Sequence, residues 1–187
     1  MADLPKIYID SCCFISLARH KINGSFVEVG HEQDIYFLAQ ILQAAKDSNL
    51  QLFCSALTIA ECLGIRDNEG NICYGEDIQR LFKSILLSGL ICHVAPDPFV
   101  SFLARDLLWK HDIKGLKSME AVHIASALHV GCKEFLTQDG ANKKSGLLAR
   151  ALDFKSIGLD VLLPSDTKYL PNEYLQEKLT YGTQEGA

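Results

Sequence analysis

Short apolar runs that alternate with helical periodicity constrain this chain more than any other feature. "KIYI", "LQLFCS", "LICHVA", "EFLT" and "GLDVLL" are brief and rich in Ile, Val, Leu and Phe, and each is bounded by polar or turn-forming residues. Between them, apolar residues recur at helical spacing. Short strands that alternate with helices in this way make a parallel sheet covered by helices on both faces. The expected fold class is therefore α/β, a single domain with a parallel sheet of about five strands. The stretch from Leu116 to Gly140 shows the unit most clearly. Ala121, Ile124, Ala125 and Leu128 form one helical stripe, Gly131 closes the helix where a left-handed residue is wanted, and "EFLT" follows as a buried strand ending at Thr137.

Taken in order, the pattern predicts a strand over Lys6–Ile9 and a helix from Ser11 to His20. An amphipathic helix over His31–Ser48 and a helix starting in "ALTIAECLGI" come next. "RDNEGNICYG" reads as a loop. Ile78, Leu81, Phe82, Ile85 and Leu86 mark the following helix. Asp97 and Pro98 open another, with Phe99, Phe102, Leu103 and Leu107 expected to face inward. A domain over residues 1–163 is expected, and residues 164–187 read as a polar tail or docking segment.

Eighteen basic against 23 acidic residues give a formal charge of -5, which argues against a protein that coats nucleic acid by bulk charge. The 7 cysteines lack CxxC spacing, so neither a zinc ribbon nor a disulfide framework is indicated. Reduced thiols in a cytoplasmic protein are the natural reading. Asp3 and Pro5 interrupt the amino terminus before any apolar run, so no signal peptide is expected. No run approaches the roughly 20 apolar residues that a membrane span needs.

Four carboxylates stand out. Asp10 follows the first strand and Asp139 the "EFLT" strand, while Glu61 and Glu120 lie early in predicted helices. Each has an ordinary reading. Asp10 can cap a helix, Glu61 can form a capping box with Thr58, Glu120 can complement a helix dipole, and Asp139 can shape a turn. In a parallel sheet, however, residues just past the strands converge on one edge. Four acids gathered there repel one another unless a cation is shared, and oxygen ligands alone favour Mg²⁺ or Mn²⁺.

"KIYIDSCCFISL", "ALTIAECL" and "MEAVHIASALHVGCKEFLTQD" resemble, in order, the acidic motifs of PIN-domain nucleases, with the VapC-like toxin ribonucleases the closest-looking group. The resemblance spans roughly Lys6 to Leu163. It implies a metal-dependent endoribonuclease that uses Mg²⁺ or Mn²⁺ to hydrolyse RNA phosphodiester bonds. It further implies an antitoxin partner where the member is a toxin, and a homodimer. By position, Asp10, Glu61, Glu120 and Asp139 are the implied catalytic and metal-binding residues, with Ser11 and Thr137 as supporting hydroxyls. Glu120 departs from the usual aspartate, and Cys12 stands where asparagine is common.

Lys114 and Lys117 precede the third acid and Lys143 and Lys144 follow the fourth, which makes them candidates for an RNA-binding rim. His123, one turn beyond Glu120, reads as a core histidine or as the orienter of a carboxylate. Trp109 reads as core or interface. The competing expectation is a PIN-like fold kept as a catalytically weak or inactive RNA-binding or protein-docking module. An aspartyl phosphatase would want DxD after the first strand, and here that triplet is Asp10-Ser11-Cys12.

Overall fold

A computed structural model of the chain describes residues 4–23, 31–67, 69–141 and 145–175. The elements run β1 (Lys6–Ile9), α1 (Ser11–Asn23), α2 (Glu32–Lys46), β2 (Gln51–Ser55), α3 (Leu57–Glu61), β3 (Ile65–Arg66), β4 (Ile72–Cys73), α4 (Glu76–Leu86), β5 (Ile91–Val94), α5 (Pro98–Trp109), α6 (Ser118–His129), β6 (Glu134–Leu136), α7 (Ala151–Ser156) and β7 (Asp160–Leu162). Five strands pair in the order β5-β2-β1-β6-β7, and every pairing is parallel. This is the single α/β domain that the alternation predicts.

Because side chains alternate across a strand, each strand feeds two cores. Ile7, Ile9, Leu52, Cys54 and Leu136 pack against α1, α2 and α4 on one face. Tyr8, Phe53, Phe135 and Val161 pack against α5, α6 and α7 on the other. The chain leaves β1 toward β2 and later returns to β6 on its other side, so the strand order reverses at β1. A crevice opens at such a reversal, outside the carboxyl ends of the strands.

Two expectations are corrected. The predicted loop over 66–75 contains the antiparallel hairpin β3–β4, whose turn is organised by the Asp67 carboxylate, an acceptor for the N–H groups of Glu69 and Asn71. In helix α5, Leu107 is buried and Leu103 packs against the core as expected, but the two phenylalanines turn outward. Val100, Ala104 and Leu107 face inward, while Phe99 and Phe102 are 74% and 55% exposed. Asp97 caps this helix by accepting from Val100 N–H, and small residues on the inward face let α5 lie close to α6. Trp109 is also exposed, with the Arg105 guanidinium 4.7 Å from its ring centre, so it is not a core residue.

The segment after β7 lies against the domain as far as the description reaches. Pro164 and Leu170 are buried, and Thr167 Oγ1 and Lys168 N–H both donate to the buried Glu134 carboxylate.

Candidate active site

Asp10 leaves β1 at the point of strand reversal, where its own N–H donates to Leu136 O of β6. Its carboxylate is buried and well supplied with donors. Oδ1 accepts from Ser11 N–H at 2.8 Å, and Oδ2 accepts from Thr137 Oγ1 at 2.7 Å and from the Cys12 thiol at 3.2 Å. The thiol also accepts from Gln138 N–H at 3.2 Å. Cys12 thus supplies polar support at the position where the resemblance leads one to expect asparagine.

Thr137 links the first acid to the fourth. Its hydroxyl donates to Asp10 and accepts from Asp139 N–H at 3.0 Å. The Asp139 carboxylate shapes its own loop, with Oδ2 accepting from Leu147 N–H at 3.0 Å. Gly140 and Gly146 pinch that loop at its neck. Both have positive φ, and a Cβ on Gly146 would stand 2.8 Å from Gly140 N and 3.0 Å from Asp139 Oδ2.

Glu61 ends α3 and forms no capping box with Thr58. Its Oε2 lies 2.9 Å from His123 Nε2 of α6, and the other ring nitrogen meets Tyr8 Oη at 2.8 Å. His123 is buried, and it is the Glu61 carboxylate that it orients. Burial opposes charge on the imidazole, yet the hydrogen bond to Glu61 and the charges of Asp10 and Glu61 outweigh it and raise the pKa. Burial likewise pushes the Glu61 pKa upward, but the hydrogen bond and charge of His123, helped by the Ser11 hydroxyl, hold it below the ordinary value. Ser11 holds Asp10 through its N–H.

Glu120 behaves differently. One oxygen accepts from Lys117 N–H at 3.0 Å and the other pairs with Lys117 Nζ at 3.2 Å, so its carboxylate satisfies a backbone donor at the start of α6. Lys114 is exposed beside Asp112, and Lys143 and Lys144 lie outside the described residues. Among the described residues, no three His, Cys, Asp or Glu side chains are grouped to hold one ion. The donors fit a hard divalent cation in kind, since Asp10, Glu61 and Asp139 offer only carboxylate oxygens at one sheet edge.

A second polar cluster borders the first and was not anticipated from the sequence. Buried Asp34 contacts His31 Nδ1 at 2.8 Å, and it accepts from Ser165 N–H at 3.1 Å and from the Gln138 amide at 3.3 Å. These contacts tie the start of α2 to the residue before Asp139.

No helix among the described residues is long and apolar enough to cross a membrane. No family model matches the sequence, and no curated protein matches it. Among solved structures, a chain from "Structure of FitAB bound to IR36 DNA fragment" superposes with a TM-score of 0.51 at 17% identity, covering 87% of this chain and 97% of that one. Taken with the five-stranded parallel sheet and its flanking helices, that likeness gives the chain a PIN-like fold.

Proposed function

We propose that this chain is a metal-dependent endoribonuclease of the PIN type. The observation that carries the reading is the hydroxyl bridging at the strand reversal. The Thr137 hydroxyl donates to the Asp10 carboxylate and accepts from Asp139 N–H, and His123, which pairs with Glu61, feels the charges of both Glu61 and Asp10. Asp10 and Asp139, each held by neutral donors with no lysine or arginine among these contacts, suit a cationic ligand. Asp10, Glu61 and Asp139 would hold Mg²⁺ or Mn²⁺, and Glu120 would join them only by leaving Lys117. Such an ion, when bound, polarises a phosphodiester and acidifies water. The chain's own part is to keep Asp10 fixed through three donors and to keep Glu61 ionised beside His123. Lys114 and Lys117 would meet RNA phosphates at the approach to α6.

Likeness to FitAB, which its title gives as bound to a DNA fragment, is the support for reading this chain as a toxin held by an antitoxin partner. Co-expression with the product of a neighbouring reading frame should yield a stable complex that lacks cleavage. A homodimer belongs to the same reading and is checked by light scattering. The test of the reaction is cleavage of mixed RNAs with and without Mn²⁺, wild type against Asp139→Asn. Metal-dependent cleavage that the substitution lowers at least a hundredfold is expected.

The capping role of Glu120 favours a second reading, a PIN-like module that binds RNA or protein without cutting. It requires that Mn²⁺ leave the melting temperature unchanged, whereas an ion that binds only the folded state must raise it.

A further inference from the structure

The guanidinium of Arg150 is spent on backbone carbonyls from two separate loops. Nε donates to Lys114 O at 2.9 Å, Nη2 to Gly115 O at 2.8 Å and Nη1 to Gly146 O at 2.8 Å. Gly115 has a positive φ, and a Cβ there would stand 2.8 Å from Nη2, so the missing side chain makes room for the fork. The peptide after the Gly146 carbonyl carries Leu147 N–H, the donor to Asp139 Oδ2, and Leu148 N–H donates to Asp139 O at 3.1 Å. From Asp139 the contacts continue through Thr137 to Asp10. The other two carbonyls lie in the turn that bears Lys114 and leads to Lys117 and Glu120.

We propose that Arg150 is a positioning residue. Its planar fork fixes the Gly146–Leu147 peptide, which aims the Asp139 carboxylate, and clamps that loop to the lysine-bearing turn. As a statement about metal affinity, this rests on the nuclease reading; as a statement about Asp139, it does not. Lysine cannot reproduce the role, because one ammonium does not span three carbonyls in a plane. A residue that merely contributed positive charge toward RNA would be replaced by lysine without loss.

The experiment measures two quantities on the full chain, amide hydrogen exchange at Leu147 and Leu148 and calorimetric binding of Mn²⁺ alone. The variants are Arg150→Ala, Arg150→Lys, Asp139→Asn and the Arg150→Ala/Asp139→Asn double. Gly115→Ala, which displaces the guanidinium while keeping it, stands in if Arg150→Ala does not fold. Both Arg150 variants should speed exchange at the two amides and weaken Mn²⁺ binding about tenfold, the loss usual when a residue that orients a metal ligand is removed. The double variant should bind no more weakly than Asp139→Asn, since Arg150 acts through that carboxylate. Unchanged exchange overturns the proposal. So does unchanged Mn²⁺ affinity of Arg150→Ala when the wild type binds the ion, or full rescue by Arg150→Lys. If the wild type binds no Mn²⁺ while exchange still accelerates, the nuclease reading falls and the clamp on Asp139 stands.

Discussion

Both oxygens of Asp10 are engaged by donors, and this changes what neutralising it would do. Four acids sharing an edge imply that Asp10→Asn relieves repulsion. The contacts argue otherwise. An asparagine has one acceptor oxygen, so its amide N–H₂ must face either Ser11 N–H or the Thr137 and Cys12 donors. The expected outcome is a loss of about 1–3 kcal/mol of stability, measured by urea unfolding in chelator. Asp139→Asn can keep its oxygen on Leu147 N–H and should unfold with wild-type stability, which makes it the cleaner probe of cleavage. His123 gives a pH-dependent counterpart. Its folded pKa is raised, so the stability it adds is complete below the ordinary histidine value and is lost as pH rises through the folded value. Glu61 has the opposite sign, its share being complete above the ordinary carboxylate value and lost as pH falls through the lowered one. The gap in melting temperature between wild type and His123→Gln should therefore narrow from pH 6 to pH 9. A gap constant across that range would show that the imidazole does not pair as a cation.

At the scale of elements, the sequence was legible where period and burial agree. Ala121, Ile124 and Ala125 are buried as their spacing requires, and Gly131 takes the left-handed conformation that ends α6. In α5, helical spacing alone admits Phe99 and Phe102 beside Leu103 and Leu107, yet the two phenylalanines lie outward. Val100, Ala104 and Leu107 also hold helical spacing, and close approach to α6 favours the smaller set. A tight interface tolerates added volume poorly, whereas an exposed ring can be replaced at little cost. Ala104→Leu should thus lose roughly 1–3 kcal/mol, while Phe99→Ser stays within about 0.5 kcal/mol of wild type, both read from urea midpoints. The site was legible in part for a related reason. Asp10 and Asp139 follow directly from strand ends, so their place is set by topology. Whether Glu120 turns to the crevice or back onto Lys117, and where Arg150 sends its fork, depends on rotamers and on loops far apart in sequence.

Across the whole molecule, the segment beyond β7 links parts of the fold that no strand pairing joins. Ser165 N–H reaches the buried Asp34 carboxylate at the start of α2. Thr167 and Lys168 satisfy Glu134 at the opposite, amino end of β6, and Leu170 completes the core beneath α1 and α2. Tyr174 Oη then accepts from Asn49 and donates to Asp47 beyond the end of α2. A boundary after residue 163 would leave two buried carboxylates short of donors and Leu170 missing from its pocket. Burial already raises the pKa of Glu134 against the donors that lower it, so their loss would favour its neutral form further. A chain ended at Leu163 should therefore lose about 2–5 kcal/mol of stability, the sum expected for one apolar side chain and unpaired buried acceptors. Part of that loss should be recovered on acidification, as Glu134 takes up a proton. A chain ended at Leu175 keeps every one of these contacts and should unfold at a higher urea midpoint than the chain ended at Leu163. Equal midpoints for the two truncations would mean that the sheet and its helices stand without the strap.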